Sequence, residues 1–477
     1  MKRHNSPNLG VKNFTYLKHQ NSRLKIILSL AWPQVLMMFF HFWIGFLDVY
    51  VAGLIDSKVQ ASLGIVTQIL FFLLIVAISF ANGSVSTISQ SLGGQRETRA
   101  KRYAMLSLEI AALAGIILCF LGFLFKKELV LILKTPRPLY EITTYFIKVY
   151  VLLIPIYYLF ITTNAILRAQ KQVYVPLISI MLVTILNGAL NFSLCFGYFI
   201  FPRMGFKGLP WATFFSVLSG CLVNILYLTK KGWVRYRFIP KIKWIKAFFP
   251  YLWKVSWPIG LNQLLWHFAY VILFSITATL PQKNIVALAA FTAGSRIEAI
   301  LFLPAFAFNM TASILVGHYL GNGDYNGAKD IGQKTWMLGI SIISFLAIIL
   351  WFFVQEVAGI LSDDPLVQME IINYLKYNVL AIPFTVSTMI FGGVFIGAGA
   401  TKFNMMCIGG SVWLVRVPLA YILGHIILKD SSGIWIAMFL SQMSQSLIMG
   451  FLFIKDKWIG YSMKKANRIL KANASAI

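Results

Sequence analysis

SLGGQRETRAKR, residues 91–102, and YLGNGDYNGAKD, residues 319–330, are one segment written twice, 228 residues apart. The same offset relates YFIKVYVLLIP (145–155) to YLKYNVLAIP (374–383), so that Leu92 stands against Leu320 and Pro155 against Pro383. A third pair, AWPQ from Ala31 and SWPI from Ser256, lies at nearly the same spacing. A repeat sustained across separate motifs makes each half of the chain a structural unit. Apolar runs of about 20 residues, long enough to cross a bilayer, number six in each half. Their expected extents are 25–53, 59–83, 103–125, 145–167, 174–199 and 208–229, then 250–280, 285–311, 332–356, 373–398, 403–428 and 433–454. Six is even, so both halves enter the membrane from the same side, and the axis relating them runs along the membrane normal. The expected fold is an all-α integral membrane protein of twelve transmembrane helices in two six-helix lobes related by pseudo-two-fold symmetry.

Composition agrees. Of 477 residues, 58% are hydrophobic and 12% charged, far too apolar for a soluble protein. The net charge of +27 would suit nucleic acid, but the cations cluster between apolar runs, as topology determinants do, and no soluble domain presents them. The N-terminal segment (Lys2, Arg3, Lys12, Lys18, Arg23), the second-to-third loop (Arg96, Arg99, Lys101, Arg102), the central KKGWVRYRFIPKIKWIK (230–246) and the tail (Lys455, Lys457, Lys464, Lys465, Arg468, Lys471) share one side. That predicts a cytoplasmic membrane of a bacterium or archaeon, with both termini in the cytoplasm. The chain divides into a basic N-terminus (1–23), a first lobe (24–229), a basic linker along the membrane surface (230–249), a second lobe (250–454) and a basic tail (455–477). The first apolar run is too long for a signal-peptide core, so the first helix is retained. Cys119, Cys195, Cys221 and Cys407 lie in or beside apolar runs without metal-ligand spacing and read as small buried hydrophobes.

The chemistry rests on the few polar residues inside the runs. Asp48, in IGFLDVYVAG (44–53), is a carboxylate in the inner half of a span, where ionisation costs at least about 2.5 kcal/mol on insertion scales. Asn187 and Asn191, four residues apart on the fifth helix, share a face and can bond a carboxylic acid or offer oxygens to sodium. His41 lies two helical turns before Asp48, as a proton relay or a packing residue. Pro33 leaves a backbone carbonyl unpaired near the start of the first helix, a natural hinge. In the second half, Glu298 is a counter-charge for a cationic substrate, a second protonation site, or half of an ion pair with Arg416. Arg296 is two residues from Glu298, off its face, and His267 lies in LLWHFAY (264–270). Glu109 falls near the wet start of the third helix. GGVFIGAGA (392–400) has no preceding strand and no following Lys-Ser or Lys-Thr, so it is a helix-packing stretch and implies no ATP site. Neither a metal cluster nor a nucleophile-base-acid set is apparent, so an enzyme is not expected. A membrane-embedded transferase, with His318 or His425 as base, is the alternative from another class.

A proline early in the first helix, FLDVYVAG (46–53), ISQSLGGQ (88–95), LNGALN (186–191) with FKGLPWAT (206–213), GSRIEAILFLPAFAFNMTASILVGHYLG (294–321) and WLVRVPLAYILG (413–424) together resemble the multidrug and toxic compound extrusion (MATE) family, from about Leu24 to about Lys455. The resemblance implies secondary active export of bulky, lipophilic, often cationic compounds by alternating access, driven by proton or sodium re-entry. Flippases of lipid-linked precursors in the same superfamily are the alternative. It implies Asp48 as the coupling acid, with Asn191 standing where the family often has an acid, and Thr213 as a further polar position of the first lobe. The second-lobe acids of the sodium-coupled branch fall here at Trp266 and about Val386, both apolar, which favours protons over sodium. No cofactor beyond the coupling ion is expected; the partners are lipophilic small molecules and the bilayer, and the chain is expected to work as a monomer.

Overall fold

The computed structural model describes residues 20–132, 135–198 and 201–463, with side chains from Arg23 onward and apart from that of residue 132. The cations expected at Lys2, Arg3, Lys12 and Lys18 and from Lys464 to Lys471 lie outside the described residues. Among the described residues, twelve helices are long and apolar enough to cross a membrane. In the first half they are α1 (Arg23–Ile55), α2 (Ser57–Gly93), α3 (Glu97–Leu124), α4 (Arg137–Ala169), α5 (Tyr174–Phe196) and α6 (Gly205–Lys230). In the second half they are α7 (Ile242–Ala278), α8 (Asn284–Asn322), α9 (Tyr325–Phe352), α10 (Pro365–Ala398), α11 (Thr401–Ile427) and α12 (Ser432–Ile454).

Each expected run holds one helix, but several helices outlast their run. The expected second span stops at residue 83, where the sequence turns to Ser, Thr and Gln, yet α2 continues to Gly93. Those side chains do not break the helix because they bond back into it: Ser84 Oγ donates to Ala81 O (2.6 Å) and Ser91 Oγ to Thr87 O (2.7 Å). Their faces are then free to pack against the other lobe. Within the segment 230–249, α7 already begins at Ile242. Three acids cap helix N-termini: Asp56 accepts from Lys58 N, Asp324 from Gly327 N and Asp364 from Leu366 N, each at 2.8 Å. α11 is widened by π-helical turns at Val412–Arg416 and Ile422–Ile427.

The 228-residue repeat is a physical axis. Glu97–Leu124 and Tyr325–Phe352 are the same helix displaced by that offset. Gln90 Nε2 donates to Gly397 O (2.8 Å), and His318 Nε2 donates to Ala169 O (2.9 Å); both donors and both acceptors are equivalent by 228. A Cβ on Gly93 would lie 2.0 Å from His318 O, and one on Gly321 would lie 2.1 Å from Gln90 O. Ser89 and Gly317, equivalent to each other, touch directly: a Cβ on Gly317 would overlap Ser89 Oγ at 2.0 Å. Contact between equivalents marks the axis itself. The lobes are therefore clasped end to end between α2 and α8, at the end of the molecule where α1 begins. Gln34 Nε2 to Thr311 Oγ1 (2.8 Å), Met463 N to Gln90 Oε1 (2.8 Å) and the Arg23–Asp330 ion pair add to this junction. Among the described residues, every side-chain hydrogen bond between the lobes lies in the half nearer that end. Further out, the lobes meet through rings, with His267 stacked on Phe71 at 4.5 Å.

α1 belongs to both lobes. Ile27, Leu30 and Ala31 pack into the core formed chiefly by α8, α9 and α10, whereas Met37, Val51 and Ala52 pack into the first-lobe core with Phe146, Ile154 and Val183. Pro33 sits at the changeover.

Candidate functional site

Asp48 points from α1 into the first lobe and is 8% exposed. Its Oδ1 accepts from Asn191 Nδ2 (2.7 Å) and Asn187 Nδ2 (3.1 Å), and its Oδ2 from Thr213 Oγ1 (3.3 Å). The two amides come from successive turns of α5 and the hydroxyl from α6, so three helices close on one carboxylate. They are also bonded to one another: Asn191 Nδ2 donates to Asn187 Oδ1 (3.2 Å), and Asn187 Nδ2 to Thr213 Oγ1 (3.3 Å). An acceptor surrounded by three donors suits an ionised carboxylate. Asn191 Oδ1 is buried without a partner. Rotating that amide would present an acceptor to the same carboxyl, which suits the protonated acid. The cluster can thus satisfy either protonation state, and its oxygens could also line a small cation site.

Tyr150 and Tyr157 of α4 lie within electrostatic reach of Asp48, and Tyr150 also meets Thr213. Sequence reasoning missed both. The signal was there: they stand seven residues apart, on one face of the helix around Pro155.

His41 is not bonded to Asp48; the charge within its reach is Arg168, at the end of α4. His267 is half-buried and held by the rings of Phe71 and Phe72. Arg296 is exposed and takes no part in either cluster. Glu298 is 4% exposed, and its Oε2 accepts from Tyr374 Oη (2.8 Å). The ion pair with Arg416 considered from sequence does not form at contact distance. Arg416 is buried in the same cluster, but its Nε donates to Ser441 Oγ (2.9 Å) and its guanidinium lies 6.0 Å over the Tyr270 ring. Each is served by another partner instead: Tyr374 of α10 holds the acid, while Ser441 and the Tyr270 ring hold the base. His318 is engaged by Ala169 O and His425 by Thr279 O (3.0 Å). Among the described residues no three His, Cys, Asp or Glu side chains converge as a metal site would require.

The family model MatE matches residues 33–193 and 258–422. The chain is 24% identical over 449 residues to the probable multidrug resistance protein NorM of Thermotoga maritima, covering 91% of this chain and 92% of that protein. It is 23% identical over 404 residues to the probable multidrug resistance protein YoeA of Bacillus subtilis, covering 82% and 84%. Among solved structures, a MOP superfamily transporter from Pyrococcus furiosus, described as having a binding pocket of reverse polarity, superposes with a TM-score of 0.85 at 18% identity, covering 96% of this chain and 99% of that one. At that identity the likeness speaks for the shared fold of twelve helices in two lobes.

Proposed function

The chain belongs to the MatE family, and on that premise we propose that it is a secondary active multidrug efflux transporter, exporting bulky lipophilic compounds in exchange for protons. The carrying observation is Asp48, a carboxylate enclosed in the first lobe by donors from α5 and α6. Burial in an apolar span makes its charge expensive, so its protonation state and the helix arrangement around it are bound to influence each other. On this reading the end where the lobes are clasped, beside Arg96, Arg99, Lys101 and Arg102, is the cytoplasmic end, and the lobes part toward the outside. Asp48 takes a proton from outside; the neutral acid then bonds the turned Asn191 amide, α1 bends at Pro33, and the first-lobe cavity narrows on the substrate. Swinging the population from 1:99 to 99:1 requires about 5.5 kcal/mol between the protonation states, equivalent to about four pKa units. Protons are favoured over sodium because one carboxylate is served by three hydrogen-bond donors. Glu298, bonded by Tyr374, is the buried acid of the second lobe, on α8 and not at a position equivalent to Asp48. Such a cycle needs no nucleotide and only one copy of the chain.

Reconstituted into vesicles, the protein is expected to move an ethidium-type dye against its gradient when a pH gradient is imposed. Asp48→Asn should fold and insert but lose gradient-driven efflux, and Asn191→Ala should weaken coupling while Asn187 still holds the carboxylate. Wild-type efflux by Asp48→Asn would remove the coupling site from Asp48. A response to sodium alone at fixed pH would reverse the choice of ion, and scrambling of a lipid-linked sugar in place of dye transport would replace export by flipping.

A further inference from the structure

One to two turns of α2 inward from Ser89 and Gln90, a small cavity separates the lobes on the pseudo-two-fold axis. Its wall contains three equivalent pairs, Asn82 with Met310, Val85 with Ser313, and Arg168 with Ile396, each related by the 228-residue offset. The two sides are not alike. The first lobe brings a guanidinium to the axis, and the second lobe answers it with an isoleucine.

Arg168 is 7% exposed. Its Nη1 donates to Met310 Sδ, a weak acceptor, and its Nε has no partner. Across the cavity the Ser313 hydroxyl is also buried without a partner. Among the described residues no carboxylate pairs with Arg168, and the titratable side chain within its reach is another base, His41. Arg168 stands in the last turn of α4, where the helix dipole offsets part of its charge. The dipole acts through the backbone, however, and leaves the Nε–H donor unmade. A buried guanidinium with an unmade Nε–H and a buried hydroxyl without a partner, on two residues that line one cavity, describe a site for an acceptor.

We propose that a single monovalent anion of halide size binds in this cavity, between Arg168 and Ser313. The stoichiometry follows from one cation on the axis. The size follows from the space, which admits about one water-sized species. Because its ligands come from both lobes, the anion bridges them in the clasped arrangement and must leave when they part at that end. It is therefore a further component of the interlobe junction, separate from the Gln90 and His318 bonds.

The test uses the purified full-length protein, with chloride exchanged for gluconate at constant ionic strength. The thermal unfolding midpoint should rise with chloride and saturate. Ser313→Ala, which removes one neutral ligand, should raise the half-saturating chloride concentration about tenfold. Arg168→Met should abolish the response. If Arg168→Met does not fold, bromide in crystals of the wild-type protein supplies the second measurement, with anomalous scattering expected in the cavity beside the guanidinium. Equal midpoints in chloride and gluconate, a chloride response unchanged by both substitutions, or a water in place of bromide would each overturn the proposal. None of these readouts depends on transport, so the proposal fails or stands separately from the role of Asp48.

Discussion

Gly93→Ala tests whether the clasp holds the lobes in this arrangement. The added Cβ would sit 2.0 Å from His318 O, with the His318 backbone behind it at 2.7 and 2.8 Å. Because the obstacle is main chain, no rotamer change relieves it. Reaching an ordinary contact of about 3.4 Å requires the two helices to separate by about 1.4 Å. That displacement carries the bonds from Gln90 to Gly397 O (2.8 Å) and from His318 to Ala169 O (2.9 Å) beyond hydrogen-bonding range. Two bonds of about 0.5–1.5 kcal/mol each are lost, so the clasped state should lose about 1–3 kcal/mol, or about 5- to 150-fold in population. Gly321→Ala, its equivalent, should do the same, and Gly64→Ala, where a Cβ meets nothing within 4 Å, should not. Spin labels at Thr98 and Asn326, exposed and equivalent positions at the clasped end, report the separation by electron double resonance in a background without the four native cysteines. Gly93→Ala with the distance distribution of the wild type would refute the reasoning, since it would mean that the helices are not in register contact there.

Pro33→Ala restores the hydrogen bond that proline removes from the middle of α1, where proline costs about 3 kcal/mol; dye efflux should fall while unfolding resistance rises, and unchanged efflux would show that bending at this point is not part of the cycle. Lys171, in the turn between α4 and α5, has its ammonium pushed down to about 8 by burial. The unfolded chain therefore binds more protons between about pH 8 and the usual lysine value, so the unfolding midpoint should rise with pH across that window; Lys171→Met should flatten this rise. Gln95 holds a left-handed conformation (φ 56°) that its equivalent, Gly323 (φ 86°), adopts without strain. Gln95→Gly should add about 1 kcal/mol of stability, the left-handed penalty less the entropy glycine loses, measurable as a raised unfolding midpoint.

The sequence made the architecture readable because a bilayer forces length and periodicity onto every span, and a constant offset survives wherever loops do not vary. Asp48, Asn187 and Asn191 were readable for a related reason. Polar groups are rare in apolar runs, and a four-residue spacing puts two of them on one face. What stayed hidden is polar structure near the helix ends. Ser84 to Ser91 read as the approach to a loop, whereas they are the buried face of α2 against the other lobe. Gln90 and His318 differ in residue type, so the repeat did not flag them as equivalent; only their shared geometry does. Arg168, one residue past the expected span 145–167, was not singled out. The ion pair with Arg416, one of three readings of Glu298, gives way to a bond from Tyr374 Oη, since an aromatic hydroxyl also satisfies a buried acid, and a sequence shows which groups need partners but not which partner is nearer.

The position of α1 explains how one carboxylate in the first lobe can influence a junction at the other end of the molecule. A helix packed wholly in one lobe could respond to protonation of Asp48 without moving the other. α1 instead anchors Ile27, Leu30 and Ala31 in the second-lobe core, passes Pro33, is held once more to α8 by Gln34 on Thr311, and only then carries Met37, Asp48 and Val51 into the first lobe. Pro33, the proposed hinge, lies one residue before Gln34, the last of these second-lobe anchors, where the backbone bond that proline removes lowers the cost of a change in direction. A bend there has to be taken up either by the Asp48 cluster or by the contacts of α1 with α8, because both ends are held by packing. α8 is also the helix that carries His318 to Ala169 O. A shift of α1 against α8 thus acts on the clasp directly, through contiguous packing, and does not require a relay of side chains across the cleft.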